Sequence, residues 1–187
     1  MKIDGKYEVI QKLGSGLSGE VVLAKDDQTS YALKFLKSSQ QSFSKEEAIA
    51  NFKNEFSLLK ELHHPNVAKI HDFGYEAKED RYYFATEYID GPDLLTACQN
   101  KSPDEIELLM VQALRALEYL HSHAIYHFDL KPQNILTTNN KDHPQQVKII
   151  DFGLAGYKPK GKMAGTPSYM PPEVILGHQP DGRADLY

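Results

Sequence analysis

The chain of 187 residues holds one cysteine, Cys98, which excludes an internal disulfide and suits a reducing compartment. Cys98 itself reads as a small, semi-buried side chain. No stretch approaches the roughly 20 apolar residues that a membrane-spanning helix needs, and the opening MKIDGKYEVI lacks the apolar run of a secretory signal. A basic excess is missing too. The formal charge is −5, which argues against a dedicated nucleic-acid binder. Internal repeats and low-complexity tracts are absent. These absences leave a soluble, cytoplasmic chain, with 41% hydrophobic and 25% charged residues, long enough for one domain or two small lobes.

Residues 7–36 read as three strands, YEVIQKLG, GEVVLAKD and SYALKFLK, split by a glycine-rich turn and by DDQTS. A helical pattern follows from about Ser44. Ser44 and Glu47 have capping-box spacing, and Ala48, Phe52, Phe56, Leu59 and Leu62 recur at helical steps. After HHPN come two more strand-like runs, VAKIHDFGYE and RYYFATEYI. SPDE at 102–105 then supplies an N-cap, a first-turn proline and a glutamate three residues past the cap. Ile106, Leu109, Met110, Ala113, Leu114, Leu117 and Leu120 form one apolar stripe, which reads as core. The expected architecture is α+β in two lobes: an N-terminal antiparallel sheet with one helix over 1–86, a hinge at 87–93, and a mostly helical, incomplete half over 94–187.

GSGLSGEV at 14–21 fits G-x-G-x-x-G-x-V, and glycines let backbone N–H groups approach phosphate oxygens unobstructed. Alone the motif is weak, because dinucleotide-binding folds use similar spacing. Those folds open a helix after the glycines, whereas EVVLA reads as a strand. A dinucleotide-dependent oxidoreductase is therefore disfavoured, and a glycine flap over a nucleotide is preferred. Lys34 ends YALK, thirteen residues past Val21, and could reach phosphate oxygens from a strand if a carboxylate such as Glu55 held it. Taken singly, either residue would read as a solvated charge.

GSGLSGEV, YALK, HFDLKPQN, DFG and GTPSYMPPE, in that order, resemble the eukaryotic-type protein kinases. The resemblance covers residues 13–187 and implies ATP and Mg2+ as cofactors and a protein Ser/Thr hydroxyl as acceptor. It assigns Leu13, Gly14, Ser15, Gly16 and Gly19 to the phosphate flap region, and Val21, Ala32 and Leu136 to the adenine. Lys34 would hold the α- and β-phosphates with Glu55 as its partner. Thr86 resembles the gatekeeper, the backbones of Glu87 and Ile89 the adenine-binding hinge, and Asp93 the ribose ligand. Asp129 matches the catalytic base, Lys131 the lysine that neutralises the transferring group, and Asn134 and Asp151 the magnesium ligands. Thr166 would bridge Asp129 and Lys131. Lys131 and GTPSYMPPE resemble the serine/threonine branch rather than the tyrosine branch. The clustered His121, His123 and His127 are structural in this family, with His127 in an internal spine with Leu59, Ile70 and Phe152, so no zinc site is expected.

Three departures qualify the resemblance. Phe128 stands where most members have an arginine that binds a phosphate on the activation segment. That segment, LAGYKPKGKMA, contains no serine or threonine, and Tyr157 is its only hydroxyl. Reader and acceptor are missing together, which implies activity without activation-segment phosphorylation. Lys158, Lys160 and Lys162 make the segment basic, either as a solvated loop or as a dock for an acidic partner. Finally, DGRADLY reaches only the start of the family's long central helix. Asp185 matches the aspartate that anchors the catalytic loop, and Glu173 normally pairs with an arginine beyond that point. An unpaired buried charge costs about 3–5 kcal/mol. The expectation is a fragment of a longer kinase, or a truncated product, poorly stable or inactive by itself, with any regulatory domain C-terminal to residue 187. The motifs start almost at Met1, a layout that resembles bacterial serine/threonine kinases. The competing reading is a nucleotide-binding pseudokinase scaffold, favoured by Phe128 and opposed by the intact catalytic set.

Overall fold

The computed structural model describes residues 2–16, 19–36, 50, 53, 56, 57, 59–139, 145–151 and 166–187. The expected cap at Ser44 and Glu47, and Glu55, Phe152 and residues 154–164, lie outside this set. The chain divides into two compact units, Met1–His63 with Ala68–Tyr88, and His64–Val67 with Ile89–Tyr187.

The first unit is a six-stranded antiparallel sheet in the order β1-β2-β3-β4-β6-β5. Its strands are β1 (Lys2–Ile3), β2 (Tyr7–Gly16), β3 (Gly19–Asp26), β4 (Thr29–Leu36), β5 (Ile70–Glu76) and β6 (Arg81–Glu87). Strand β1 went unforeseen, although Asp4-Gly5 is a hairpin signal. Asp4 (φ 50°) and Gly5 (φ 68°) both adopt the left-handed conformation that such a turn requires. Period-2 alternation sends Val22, Ala24, Leu33, Phe35, Tyr83 and Ala85 into one core with Ile3 and Tyr7. The buried phenols are satisfied: Tyr7 donates to Asp72 Oδ2 at 3.1 Å and Tyr83 to Asp4 Oδ2 at 3.2 Å. The opposite parity places Val21 and Lys34 directly across from each other on β3 and β4, with Leu23 across from Ala32. Among the described residues of 50–60, Phe56 packs on Phe73 and Phe84, at ring distances of 5.3 and 5.9 Å.

The second unit is built on α2 (Pro103–Ser122), preceded by the short α1 (Leu94–Cys98). The SPDE signal forms the anticipated capping box, with Ser102 and Glu105 exchanging hydrogen bonds. The apolar stripe needs correction. Leu109, Ala113, Ala116, Leu117 and Leu120 are buried, but Met110 and Leu114 are exposed. The buried line runs through the small Ala116, which the hydrophobic pattern had passed over. Leu109 and Ala113 join Leu94, Ala97, Ile135 and Val147 in the core. The last two lie on β7 (Ile135–Thr137) and β8 (Val147–Ile149), an antiparallel pair. The HHPN segment is fastened here. Asn66 Nδ2 donates to Val147 O at 2.8 Å and to Gln112 Oε1 at 3.0 Å, while Ile149 N donates to Asn66 O at 2.8 Å. The short α3 (Pro172–Ile175) and a 3-10 turn at Gly182–Leu186 follow. Glu173 is half-buried rather than buried, so the full penalty of an unpaired buried charge does not apply to it.

Candidate active site

In the second unit the chain leaves α2 and turns at Ala124 (φ 56°) into the segment 127–134. Phe128 occupies the left-handed region at φ 60°, which costs a residue with a Cβ about 1–2 kcal/mol. Asp185 holds that backbone. Its side chain is fully buried; Oδ1 accepts from Phe128 N at 2.7 Å, and Oδ2 accepts from His127 N at 2.8 Å. His121 Nε2 lies 2.9 Å from Oδ2, a third contact that sequence spacing did not reveal. Phe128 directs its ring toward Tyr126, 5.6 Å away. His127 is buried, its Nδ1 accepting from Asp129 N at 3.3 Å and its Nε2 lying 2.9 Å from Ile150 O. With Nδ1 as acceptor, the ring is the neutral tautomer that donates through Nε2.

Asp129, Lys131 and Thr166 form a closed triangle. Lys131 Nζ donates to Asp129 Oδ2 at 2.8 Å and to Thr166 Oγ1 at 2.7 Å. Thr166 Oγ1 donates to Asp129 Oδ1 at 2.9 Å, and Thr166 N donates to the same oxygen at 2.8 Å. The Asp129 and Lys131 side chains keep 18% and 22% of their exposure, enough to meet a ligand while largely excluding bulk water. Asn134 is buried at the end of a 3-10 turn, and its amide nitrogen donates to Asp129 O at 2.8 Å. That bond leaves the amide oxygen as the group able to face a cation. Asp151, just past β8, is half-buried in the left-handed conformation at φ 60°. An amide oxygen and a carboxylate are both hard oxygen donors, the kind Mg2+ prefers.

Leu136 lies on β7, where Asp93 makes an antiparallel bridge to it. Residues 90–93 press against that strand: Thr137 N donates to Pro92 O and Asn139 N to Asp90 O, both at 2.9 Å. Gly91 permits the approach, since a Cβ there would lie 1.7 Å from Thr137 O. This glycine was missed, and GPD offered only a turn signal. One Asp93 oxygen is engaged as the N-cap of α1, accepting from Thr96 N at 2.9 Å. Ile89 is buried.

The remaining candidates belong to the first unit. Gly14, Ser15, Gly16 and Gly19 form the end of the β2–β3 hairpin, with Gly16 paired to Gly19. Gly19 has φ 137°, which requires glycine. A Cβ at Gly14 would meet nothing within 4 Å, so no contact among the described residues demands glycine there. Leu13 is expelled by a bulge between Lys12 and Gly14 and is 41% exposed. Lys34 is buried on β4 opposite Val21. Its expected partner Glu55 is outside the described residues. Thr86 Oγ1 donates to Ala32 O at 3.2 Å, and Glu87 N donates to Lys69 O at 2.8 Å.

The family model described as "Protein kinase domain" matches residues 7–187. The chain belongs to the protein kinase domain family. It is 32% identical over 190 residues to CBL-interacting protein kinase 9 of rice, covering 96% of this chain and 40% of that protein. It is 42% identical over 145 residues to the human serine/threonine-protein kinase ULK1, covering 71% and 14%. It is 31% identical over 195 residues to serine/threonine-protein kinase PknF of Mycobacterium tuberculosis, covering 97% and 40%. The chain thus spans two fifths or less of the length of these relatives. Among the described residues, no helix is long and apolar enough to cross a membrane.

Proposed function

We propose that this chain carries the catalytic groups of a protein serine/threonine kinase, which moves the γ-phosphoryl group of ATP to a protein Ser or Thr hydroxyl. The supporting observation is the Asp129–Lys131–Thr166 triangle, in which Lys131 and Thr166 donate onto the Asp129 carboxylate and Thr166 also accepts from Lys131. Asp129 takes the hydroxyl proton as the oxygen bonds to the γ-phosphorus and the bond to ADP breaks. Lys131 counters the charge on the transferring group. Thr166 N and Oγ1 keep Oδ1 oriented, and Oδ2, which also accepts from Lys131, serves as base. Such chemistry needs little beyond positioning and charge neutralisation, and general-base help contributes about 10²–10⁴-fold.

Bound Mg2+ would neutralise phosphate charge, and Asn134 and Asp151 would hold it. Gly14, Gly16 and Gly19 would let backbone N–H groups take phosphate oxygens, and the open space at Gly14 favours that role. Lys34, held by Glu55, would bind the α- and β-phosphates. Leu13 and Ser15 would belong to the phosphate flap, while Val21, Ala32, Leu136 and the backbones of Glu87 and Ile89 would enclose the adenine, with the second Asp93 oxygen on the ribose. Phe128 packs toward Tyr126 and its backbone is held by Asp185, so no activation-segment phosphate is needed for the turn.

Transfer of labelled γ-phosphate to a Ser/Thr peptide, compared between wild type and Asp129→Asn, tests the assignment. Loss of about 10²-fold or more in kcat with unchanged ATP binding is expected. Transfer that survives Asp129→Asn would remove Asp129 from the role of base.

A further inference from the structure

The sheet face opposite Val21 and Lys34 carries a row of polar contacts that the chemistry above does not use. Register puts Lys12 across from Val22, Glu20 across from Phe35, and Phe35 across from Tyr83. Because side chains alternate, Lys12, Glu20, Phe35 and Arg81 share that face of β2, β3, β4 and β6. Arg81 spans the row. Its guanidinium lies 4.3 Å over the Phe35 ring and its Nη1 donates to Glu20 Oε2 at 3.0 Å. Its Nη2 is paired with Glu79 in the β5–β6 turn. Lys12 Nζ reaches the other Glu20 oxygen, Oε1, at 3.0 Å. Both Glu20 oxygens are therefore held, one from β2 and one from β6.

Glu20 immediately follows Gly19, where the chain returns from the glycine turn, and immediately precedes Val21. Lys12 and Arg81 keep its carboxyl below the usual range, so it stays ionised at neutral pH. The Arg81 side chain is 23% exposed and Glu20 31%, which shields this pair from solvent better than Lys12, at 56%. A planar guanidinium fixed by stacking and by two carboxylates loses little further freedom. The row ends on the strand whose first residue needs the φ of 137°.

We propose that Arg81 is a positioning residue for the glycine turn: acting through Glu20, it fixes the backbone at Gly19 and Glu20 and so sets how firmly the turn holds phosphate. This rests on the reading of residues 14–19 as a phosphate flap. Removing the contact loosens the return strand at Gly19 and Glu20, next to the turn, while Val21 stays paired with Lys34 across the sheet, so the phosphate end loses more than the adenine end. Affinity should then fall for ligands that carry phosphates and not for adenosine.

The test measures ATP and adenosine dissociation constants by calorimetry, and amide hydrogen exchange over residues 14–23, in wild type and variants. Arg81→Met keeps the apolar stem over Phe35, Glu20→Gln keeps shape, and Arg81→Lys keeps the charge. Each of the first two should weaken ATP about threefold to tenfold, leave adenosine within about twofold, and speed exchange at Gly19 and Glu20. The double variant should be no weaker than the worse single, and Arg81→Lys should recover part of the loss. Equal losses for ATP and adenosine, or losses that multiply in the double variant, would overturn the proposal. So would unchanged exchange with unchanged ATP affinity. Faster exchange in variants of a protein that binds no ATP would instead overturn the flap reading.

Discussion

Asp185 makes one carboxylate responsible for a strained backbone. Two N–H groups and His121 converge on it, and Phe128 holds a left-handed φ only while those bonds persist. Asp185→Ala leaves two backbone donors without their acceptor, a change worth about 2–6 kcal/mol at roughly 1–3 per unsatisfied group. Chemical denaturation should show that loss, and peptide phosphorylation should fall with it. A stable Asp185→Ala protein with normal turnover would mean that the turn supports itself. Gly91 is the second sensitive point. The Cβ of Gly91→Ala would fall 1.7 Å from Thr137 O, so residues 90–93 must leave β7. Loss of stability by more than about 1 kcal/mol is expected, along with weaker nucleotide binding through Ile89 and Asp93. Both residues illustrate what a linear reading misses. Asp185 was legible through its motif, but its partner His121 lies 64 positions away and was visible only after folding.

Elements were most legible where local chemistry decided them. Ser102-Pro103 and Glu105 announced the start of α2, and Ser102→Ala should cost about 1 kcal/mol in a denaturation midpoint. The same helix shows the limit. Its period identified an apolar stripe, yet Met110 and Leu114 stand exposed while Ala116 is buried. Small residues carry little hydrophobic signal, and the neighbours of a face are set by tertiary packing. Leu109→Ala should therefore cost about 2–5 kcal/mol, and Met110→Gln almost nothing. The HHPN segment adds a pH dependence. His64 stacks on Tyr119 at 4.9 Å, and its Nδ1 accepts from Asn66 N at 3.1 Å. Burial, with Lys148 nearby, pushes its pKa down, so the folded form resists protonation. Below about pH 6.5 the unfolded chain takes up the proton first, and stability falls as pH falls. His64→Gln keeps an acceptor without a titration, and its melting temperature should decline less between pH 7.5 and 5.5. An identical decline in both proteins would place the effect elsewhere, for instance at His71, whose pKa burial also lowers.

For the whole molecule, the division of labour follows the two units. The first carries the glycine turn and Lys34; the second carries Asp129, Lys131, Asn134, Asp151 and Thr166. Lys34→Ala should weaken nucleotide binding, whereas Asp129→Asn should leave it intact and abolish turnover. That split separates a kinase from a nucleotide-binding scaffold. Motif order suggests this assignment, because phosphoryl transfer demands fixed residue types at short, characteristic spacings. The most direct measurement uses protein stripped of all phosphate, supplied with ATP, Mg2+ and an equimolar mixture of Ser, Thr and Tyr peptides. Phosphoamino-acid analysis should find phosphoserine or phosphothreonine and no phosphotyrosine, without prior phosphorylation of residues 154–164. Absence of transfer, restored only when that segment is phosphorylated, would contradict the account given for Phe128.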